Sequence, residues 1–268
     1  LGSYTNGAII DENTDIELIL KNILQKRILP SYTAPTIVLN TESSTYNYEI
    51  GTIIFPIINT VFITNTAGAL TNYKLYKNNS TIVNESSIIS HSEAPFILGT
   101  TVSYSSRVTY AQGSLLYDNF GDPYPHPNAS PNPAGGYPAG SIVSTPKVYS
   151  PRRAYWAAYD TSTNLVTNSD EVRELSQKSL ITSESLSFTM NIAAGSRRVI
   201  IAYPASMNPI NRIIYVQGSS ADVKDTFDIT TFSVEGASTG FSTLYRVYTY
   251  IPKIPFSSIA TYIVTIEE

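Results

Sequence analysis

The sequence predicts a mainly β protein with two antiparallel β-sandwich domains, the first of them immunoglobulin-like, plus an N-terminal helix and one short helix in the second domain. Short runs of β-branched and aromatic residues alternate between apolar and polar positions, as strands with one buried face do. Gly, Pro and Asn separate these runs at short intervals. The length of 268 residues exceeds the usual size of one domain, which favours two.

Changes in composition place the boundaries between the predicted parts. Residues 1–31 form an N-terminal helical segment, and residues 32–117 form the immunoglobulin-like β-sandwich. Residues 118–150 form a Pro/Gly-rich loop or arm, and residues 151–268 form the second β-sandwich.

The N-terminal helix is predicted from a capping pattern and an apolar stripe. Thr14 and Glu17 stand three residues apart, as in a capping box, and Pro30 ends the helix. Apolar residues recur at spacings of three and four: Ile16, Ile19, Leu20, Ile23, Leu24 and Ile28. This stripe either packs on its own domain or forms a seam between subunits. The candidate interface residues are Ile16, Ile19, Leu20, Ile23 and Leu24.

The first sandwich is predicted from short segments in which apolar and polar residues alternate with a period of two. The predicted strands are 36–39, 52–55, 59–63, 72–76, 81–84 and 102–110. Residues 77–80 join two of them as a hairpin turn, because Asn78 and Asn79 tolerate the left-handed backbone that tight hairpins need.

The segment between the sandwiches is rich in Pro and Gly. Their density over residues 118–140 predicts neither a helix nor a strand ladder. Long loops in compact proteins are usually functional, and Phe120, Tyr124 and Tyr137 give this one candidate contact residues. It is an arm laid across a neighbouring domain or subunit, a solvated linker, or a ligand-contacting loop.

The second sandwich opens at 153–159, which contains Trp156, the one tryptophan of the chain. Asn168 and Glu171 have the spacing of a helix cap, and the short helix is predicted to end near Gln177. The further predicted strands are 185–191, 198–203, 212–217, 227–234, 244–250 and 259–266.

The residue types on which catalysis usually depends are scarce. The chain has no Cys, two His and 14% charged residues, so we predict no enzyme activity, no catalytic or metal-binding residues and no cofactor. The acidic segment 118–122 is shorter than a calcium loop, and turn chemistry explains it better. The pairs Arg152–Arg153 and Arg197–Arg198 are interpreted as structural ion-pairing or interface residues.

The charge and hydropathy of the sequence limit the classes of partner that we expect the protein to bind. The net charge of −4 and the absence of basic runs argue against nucleic-acid binding. The sequence has no apolar stretch long enough to predict insertion into a membrane. The 20 Tyr and Trp156 offer flat apolar faces that suit protein interfaces or glycans. Trp156 is the candidate glycan contact.

Several short motifs resemble segments of bacteriophage virion proteins found in tail and head fibres. The stretches that carry this resemblance are 16–24 with 30–37, 49–52, 66–70, 74–80, 154–159 and 199–206. Together they span most of the chain. The resemblance implies a virion-attached structural protein that forms a homotrimer and lacks enzymatic activity, but it transfers no individual site residue.

Two functions are therefore expected. In the first, the protein is a structural component of a phage virion, such as a fibre, collar or decoration protein, that contacts its own copies and capsid or tail proteins. In the second, it is an adhesin module that binds a glycan of the host surface. The two functions are compatible in one protein.

Overall fold

The computed structural model describes residues 15–24, 26–43, 45–128, 135–217 and 220–267. The protein is mainly β, with several antiparallel sheets, which confirms the predicted fold class. The first strands are β1 Thr36–Thr41, β2 Asn47–Glu49, β3 Ile53–Ile54, β4 Ile57–Ile63, β5 Leu70–Lys77, β6 Ser80–Glu85, β7 His91–Ser92, β8 Phe96–Ile97, β9 Val102–Tyr110, β10 Leu116–Tyr117 and β11 Pro123–Tyr124. The later strands are β12 Gly140–Val143, β13 Lys147–Arg152, β14 Ala154–Asp160, β15 Gln177–Leu180, β16 Leu186–Ile192, β17 Arg198–Pro204, β18 Arg212–Tyr215, β19 Ala221–Asp222, β20 Asp228–Val234, β21 Thr243–Tyr250 and β22 Ala260–Ile266.

The helices are shorter than the sequence predicts. Helix α1 spans Ile16–Leu24 and ends before Ile28. Thr14, the predicted cap, lies outside the described residues, and the Asp15 carboxylate accepts a hydrogen bond from the Glu17 amide at 2.8 Å. Helix α2 spans Ser169–Arg173, and a short 3₁₀ helix spans Lys224–Thr226.

Helix α2 confirms the predicted cap but ends early. The Asn168 side chain accepts a hydrogen bond from the Glu171 amide at 3.0 Å, as a helix cap does. The predicted end near Gln177 is wrong, because residues 177–180 form β15 and pair with β14. Pairing with a sheet edge outweighs the weak intrinsic stability of so short a helix.

The chain forms two compact units with interleaved segments. Unit 1 consists of the chain up to Glu42 with Pro56–Glu93 and Ser103–Lys147, and unit 2 of Ser43–Phe55, Ala94–Val102 and Val148–Glu268. The predicted sandwich over 32–117 was continuous, whereas the structure assigns two of its segments to unit 2. In unit 2, β2 pairs in parallel with residues 150–152, and β3 pairs with β8.

Unit 1 is a sandwich of two sheets. One has the order β1-β4-β7, and in the other β9 pairs with β5 and β12, while β5 pairs with β6. The Thr60 hydroxyl of β4 hydrogen-bonds the buried Tyr73 hydroxyl of β5 at 3.0 Å, so these sheets face each other. Asn78 and Asn79 both have positive φ at the β5–β6 turn, which confirms the predicted hairpin.

The Pro/Gly-rich segment contains strands that were not predicted. Strand β11 pairs with β10, and β12 begins at Gly140 and pairs with β9. The prediction that residues 118–140 form no ladder is therefore wrong. Pro123 is accommodated because the sheet it joins has two short strands, so its missing N–H faces no neighbouring strand on one side.

Unit 2 is a sandwich with α2 on one outer face. Its sheets have the orders β15-β14-β17-β21-β20 and β16-β22-β18-β19. Ile201 and Val264 belong to the core between these sheets, whereas Ile200 packs with Val172 of α2 on the opposite face. Strand β17 is thus buried on both faces, which explains its continuous apolar sequence.

Candidate functional site

The outer face of β1 and β4 carries exposed aliphatic side chains. Because side chains alternate along a strand, Leu39 is buried in unit 1 while Val38 points outward. Val38 lies opposite Val61, and Thr36 lies opposite Ile63. Val38, Val61 and Ile63 are 51%, 46% and 54% exposed. These three residues are called the apolar face, and grouped exposed apolar side chains of this kind mark interaction surfaces.

The N-terminal segment exposes further apolar side chains. Of the predicted interface residues on α1, Ile16, Leu20 and Leu24 are exposed and Ile19 is partly buried. The side chain of Ile23 lies outside the described residues. The interpretation that the stripe packs on its own domain is therefore wrong for the three exposed side chains.

The chain after α1 is fixed to the start of the predicted arm. The Arg27 guanidinium pairs with Asp118 at 2.5 Å and with Asp122 at 3.2 Å. The Asn119 side chain accepts a hydrogen bond from the Ile28 amide at 2.7 Å. These contacts hold residues 26–28 along the turn 118–122.

Asp118 organises that turn, as the turn interpretation of the acidic segment predicts. Its Oδ1 accepts hydrogen bonds from the amides of Phe120 at 2.8 Å and Asp122 at 2.9 Å. Burial opposes ionisation of Asp118, but these amides and the Arg27 guanidinium outweigh it and lower the pKa of the carboxyl. The carboxylate is therefore ionised at neutral pH and is engaged within its own unit.

The aromatic residues of the arm fold onto unit 1. The Tyr32 hydroxyl donates to the Tyr124 carbonyl at 2.8 Å and accepts from the Leu116 amide at 3.0 Å. The His126 ring lies 4.9 Å from both the Tyr32 and Tyr137 rings, edge to face. Of the predicted interface residues on the arm, Tyr124 and Tyr137 thus take part in this cluster, and Phe120 is also partly buried.

In unit 2 a buried carboxylate meets two cations that the sequence did not connect. Arg173 of α2 pairs with Glu49 of β2 at 2.5 Å, and Lys178 of β15 pairs with the other carboxylate oxygen. Burial alone would raise the pKa of Glu49, but the hydrogen bonds and charges of Arg173 and Lys178 outweigh it and lower that pKa. Glu49 lies more than 120 residues from both partners in sequence, with separations of 124 and 129, so no local pattern could reveal the cluster.

Trp156 lies beneath these cations and not at the surface. Its side chain is 1% exposed, and the Arg173 guanidinium and Lys178 ammonium lie 5.6 and 5.8 Å from its ring centroid. A ring covered in this way has no face available to a glycan. The expectation of an exposed Trp156 is therefore wrong, because the alternation of β14 directs this ring into the core with Tyr245.

His91, Arg153 and Arg198 contact other residues of the protein. His91 lies 3.8 Å from Glu93, which also pairs with Lys77 at 3.2 Å. Arg153 donates to the Phe241 carbonyl at 2.8 Å, and Arg198 pairs with Asp160 at 2.5 Å. These contacts lie within a unit, in keeping with the structural interpretation of the arginine pairs.

Among the residues that the structure describes, no three His, Cys, Asp or Glu side chains are grouped closely enough to hold a metal ion. No helix in this part of the chain has the length and apolar character needed to span a bilayer.

The fold defines a two-unit protein that is rich in antiparallel β-sandwich structure and exposes apolar side chains on unit 1. No protein-family model, curated protein or solved structure matches the chain.

Proposed function

We propose that this protein is a structural component of a phage virion that acts through contacts with its own copies and with capsid or tail proteins. The observation that supports this proposal best is the apolar face of unit 1, which leaves Val38, Val61 and Ile63 about half exposed. The exposed side chains of α1 add a second contact surface. The assignment to a virion rests on the resemblance of the strand and turn motifs to fibre proteins.

A second copy of the chain is the proposed occupant of the apolar face. Burying a half-exposed aliphatic side chain contributes about 1 kcal/mol. Three such side chains on each copy offset only part of the cost of association, so other contacts, such as those of α1, are needed. In a homotrimer each contact is repeated by symmetry, which closes the ring.

The experiment compares the mass of the protein in solution, by size-exclusion chromatography with light scattering, before and after Val61→Lys. We expect a trimer for the unchanged protein and at least tenfold weaker assembly for Val61→Lys, because the lysine charge would be buried in the contact. Ile82→Lys is the matched control, since Ile82 is an exposed isoleucine on β6 of the same unit. A monomer at every concentration, or equal loss of assembly in both variants, would contradict the proposal.

The virion assignment has a separate test. An antibody raised against the chain should label purified particles of the phage that encodes it, viewed by electron microscopy. The virion assignment would be wrong if the particles carry no label and mass spectrometry does not detect this chain among their proteins. The proposal of self-assembly would then stand without it.

The second candidate function is a glycan-binding module. Its predicted contact, Trp156, is buried, but a tyrosine-lined cleft in unit 2 favours the function on other residues. Nothing in this candidate conflicts with the first, because the cleft and the apolar face belong to different units.

A further inference from the structure

Unit 2 contains a cleft of about 430 Å³ that is lined by uncharged residues, four of which are aromatic. Tyr215, Tyr250, Phe256 and Tyr262 provide rings, and the rest of the lining is Val223, Thr226, Pro252, Ile254, Pro255 and Ser257. None of the described residues that line it carries a charge. This site is called the tyrosine cleft.

The strands bring the three tyrosines together from distant parts of the sequence. Tyr215 ends β18 and lies opposite Tyr262 of β22, with ring centroids 5.4 Å apart. Tyr250 ends β21 in the other sheet of the sandwich. Phe256 joins the two sheets, because its ring lies 6.4 Å from Tyr250 and 6.2 Å from Tyr262. The cleft therefore lies where strand ends of both sheets meet.

The hydroxyls of these tyrosines are free to bind a ligand. Among the described residues, none of the hydroxyls of Tyr215, Tyr250 and Tyr262 has a hydrogen-bond partner. Three buried tyrosines elsewhere in unit 2 are hydrogen-bonded. Tyr203 donates to the Asn208 carbonyl at 3.1 Å, Tyr245 donates to the Ala154 carbonyl at 2.8 Å, and Tyr248 accepts from the Ile210 amide at 3.2 Å.

The hydroxyl of Tyr262 keeps its proton at neutral pH. Burial raises the pKa of Tyr262, and the neighbouring hydroxyls of Tyr250 and Tyr215 raise it further. A tyrosine hydroxyl in this state both donates and accepts hydrogen bonds. The cleft thus combines aromatic faces with three unpaired groups that can act as donor or acceptor.

This combination selects a neutral ligand that is apolar on one side and rich in hydroxyls on the other. A charged ligand would lose its hydration without meeting an opposite charge. A purely apolar ligand would cover the three hydroxyls and leave them without partners. A sugar ring places its C–H face on an aromatic ring and its hydroxyls against polar groups, and the volume is within the usual range for small-ligand sites.

We propose that the tyrosine cleft binds a neutral saccharide through the partly exposed rings of Tyr215, Tyr250 and Phe256 and through the tyrosine hydroxyls. Tyr262 contributes its hydroxyl and not its ring face, because its ring is 4% exposed and belongs to the core. This proposal rests on the second candidate function and makes it specific, since it names the residues and restricts the ligand to uncharged sugars. It does not depend on the apolar face or on assembly.

The experiment measures binding to the full chain by saturation-transfer NMR and titration calorimetry. The probes are neutral oligosaccharides of glucose, galactose, mannose, rhamnose and N-acetylglucosamine, with sialic acid and a proline-rich peptide for comparison. Tryptophan fluorescence is unsuitable as the readout, because Trp156 is buried away from the cleft lining.

Removing the hydroxyls while keeping the rings tests the site. The combined variant Tyr215→Phe, Tyr250→Phe and Tyr262→Phe should bind the best neutral saccharide at least tenfold more weakly. Its thermal unfolding should stay close to that of the unchanged protein, because the lost hydroxyls bond to no described residue. Tyr155→Phe is the matched control, since Tyr155 stacks on Phe188 outside the cleft lining, and it should bind normally.

The outcomes distinguish the claim that the cleft is the binding site from the claim that the protein binds glycans. Binding that survives in the combined variant would overturn the cleft assignment while leaving glycan binding intact. Failure of every saccharide to bind, or a clear preference for the peptide, would overturn both. A clear preference for sialic acid would overturn the restriction to neutral sugars while leaving glycan binding intact. Val61→Lys should bind saccharide normally, so that a failure of assembly is not mistaken for a failure of this site.

Discussion

At the scale of single residues, Glu49 shows how a buried charge is tolerated in unit 2. Its carboxylate is 6% exposed and faces Arg173 and Lys178, both of which also cover Trp156. The cations keep partial access to water, whereas Glu49 does not. Removing the carboxylate charge therefore leaves two cations that can be rehydrated, which limits the cost.

We expect Glu49→Gln to lower the free energy of unfolding by about 1–3 kcal/mol, because it removes two charge-assisted contacts. Chemical denaturation followed by circular dichroism measures this change. Glu184→Gln is the control, since Glu184 is exposed on the same unit, and it should change stability by less than about 0.5 kcal/mol. Similar losses in the two variants would show that the Glu49 contacts do not stabilise the fold.

The same variant has a defined dependence on pH. The pKa of Glu49 is lower in the folded protein than in the unfolded chain, so its stabilisation is present at neutral pH and is lost as the pH falls through the folded pKa. The difference in stability between the unchanged protein and Glu49→Gln should therefore shrink as the pH falls below about 4.3, the ordinary value for Glu. A difference that stays constant down to pH 2 would contradict this.

At the scale of elements, α2 depends on its first turn. Asn168 accepts from the Glu171 amide, and the Glu171 carboxylate accepts from the Thr167 amide at 2.6 Å. Hydrogen bonds to the Glu171 carboxylate lower its pKa, with the Thr167 amide contributing most, and they outweigh the opposing effect of burial. The helix places Val172 over β17 and Arg173 over Glu49.

Asn168→Ala should lower the free energy of unfolding by about 1 kcal/mol, because the Glu171 amide loses its side-chain partner. Thermal unfolding with Thr163→Ala as control measures the effect, since Thr163 is exposed in the preceding loop. If Asn168→Ala is as stable as the control, the cap does not stabilise the helix.

Strands were the elements that sequence predicted best. Strand β9 has the predicted bounds, Val102–Tyr110, because its alternation is local and one face is buried. The pairing of β2 with β13 could not be predicted, since it joins residues about a hundred positions apart and β2 has three residues. The tyrosine cleft could not be predicted either. The sequence predicts each of its strands, but it does not show which strand ends meet.

Burial was harder to predict than secondary structure. Trp156 and Tyr215 are both aromatic residues in predicted strands, yet one is buried under two cations and the other lines a cleft. The difference is set by layers that cover each sheet, such as α2. Such layers come from tertiary packing, which local patterns do not encode.

At the scale of the whole molecule, the units are interleaved and not consecutive. Unit 2 requires Ser43–Phe55 and Ala94–Val102, which are separated in sequence from its main body. Gly51 and Gly236 show how closely these parts meet. A Cβ on Gly51 would lie 2.8 Å from the Ser238 amide nitrogen, and one on Gly236 would lie 2.6 Å from the Ile50 carbonyl oxygen.

A fragment of residues 148–268 should therefore be less stable than unit 2 in the full chain. It lacks Glu49, so Arg173 and Lys178 lose their shared partner, and it lacks the strand that pairs with residues 150–152. Thermal unfolding and amide hydrogen exchange of the fragment and the full chain measure the difference. A fragment that unfolds cooperatively at the temperature of the full chain would contradict this expectation.

The interleaved path also limits how such a protein is altered by recombination. Exchanging residues 148–268 for the matching part of another protein would bring in a sandwich that still has to accept the β2 and β8 segments of the recipient. The smallest portable module is therefore the stretch that contains both units. Variation that preserves the fold is then expected to accumulate in surface side chains and loop tips, and not through the swapping of one sandwich.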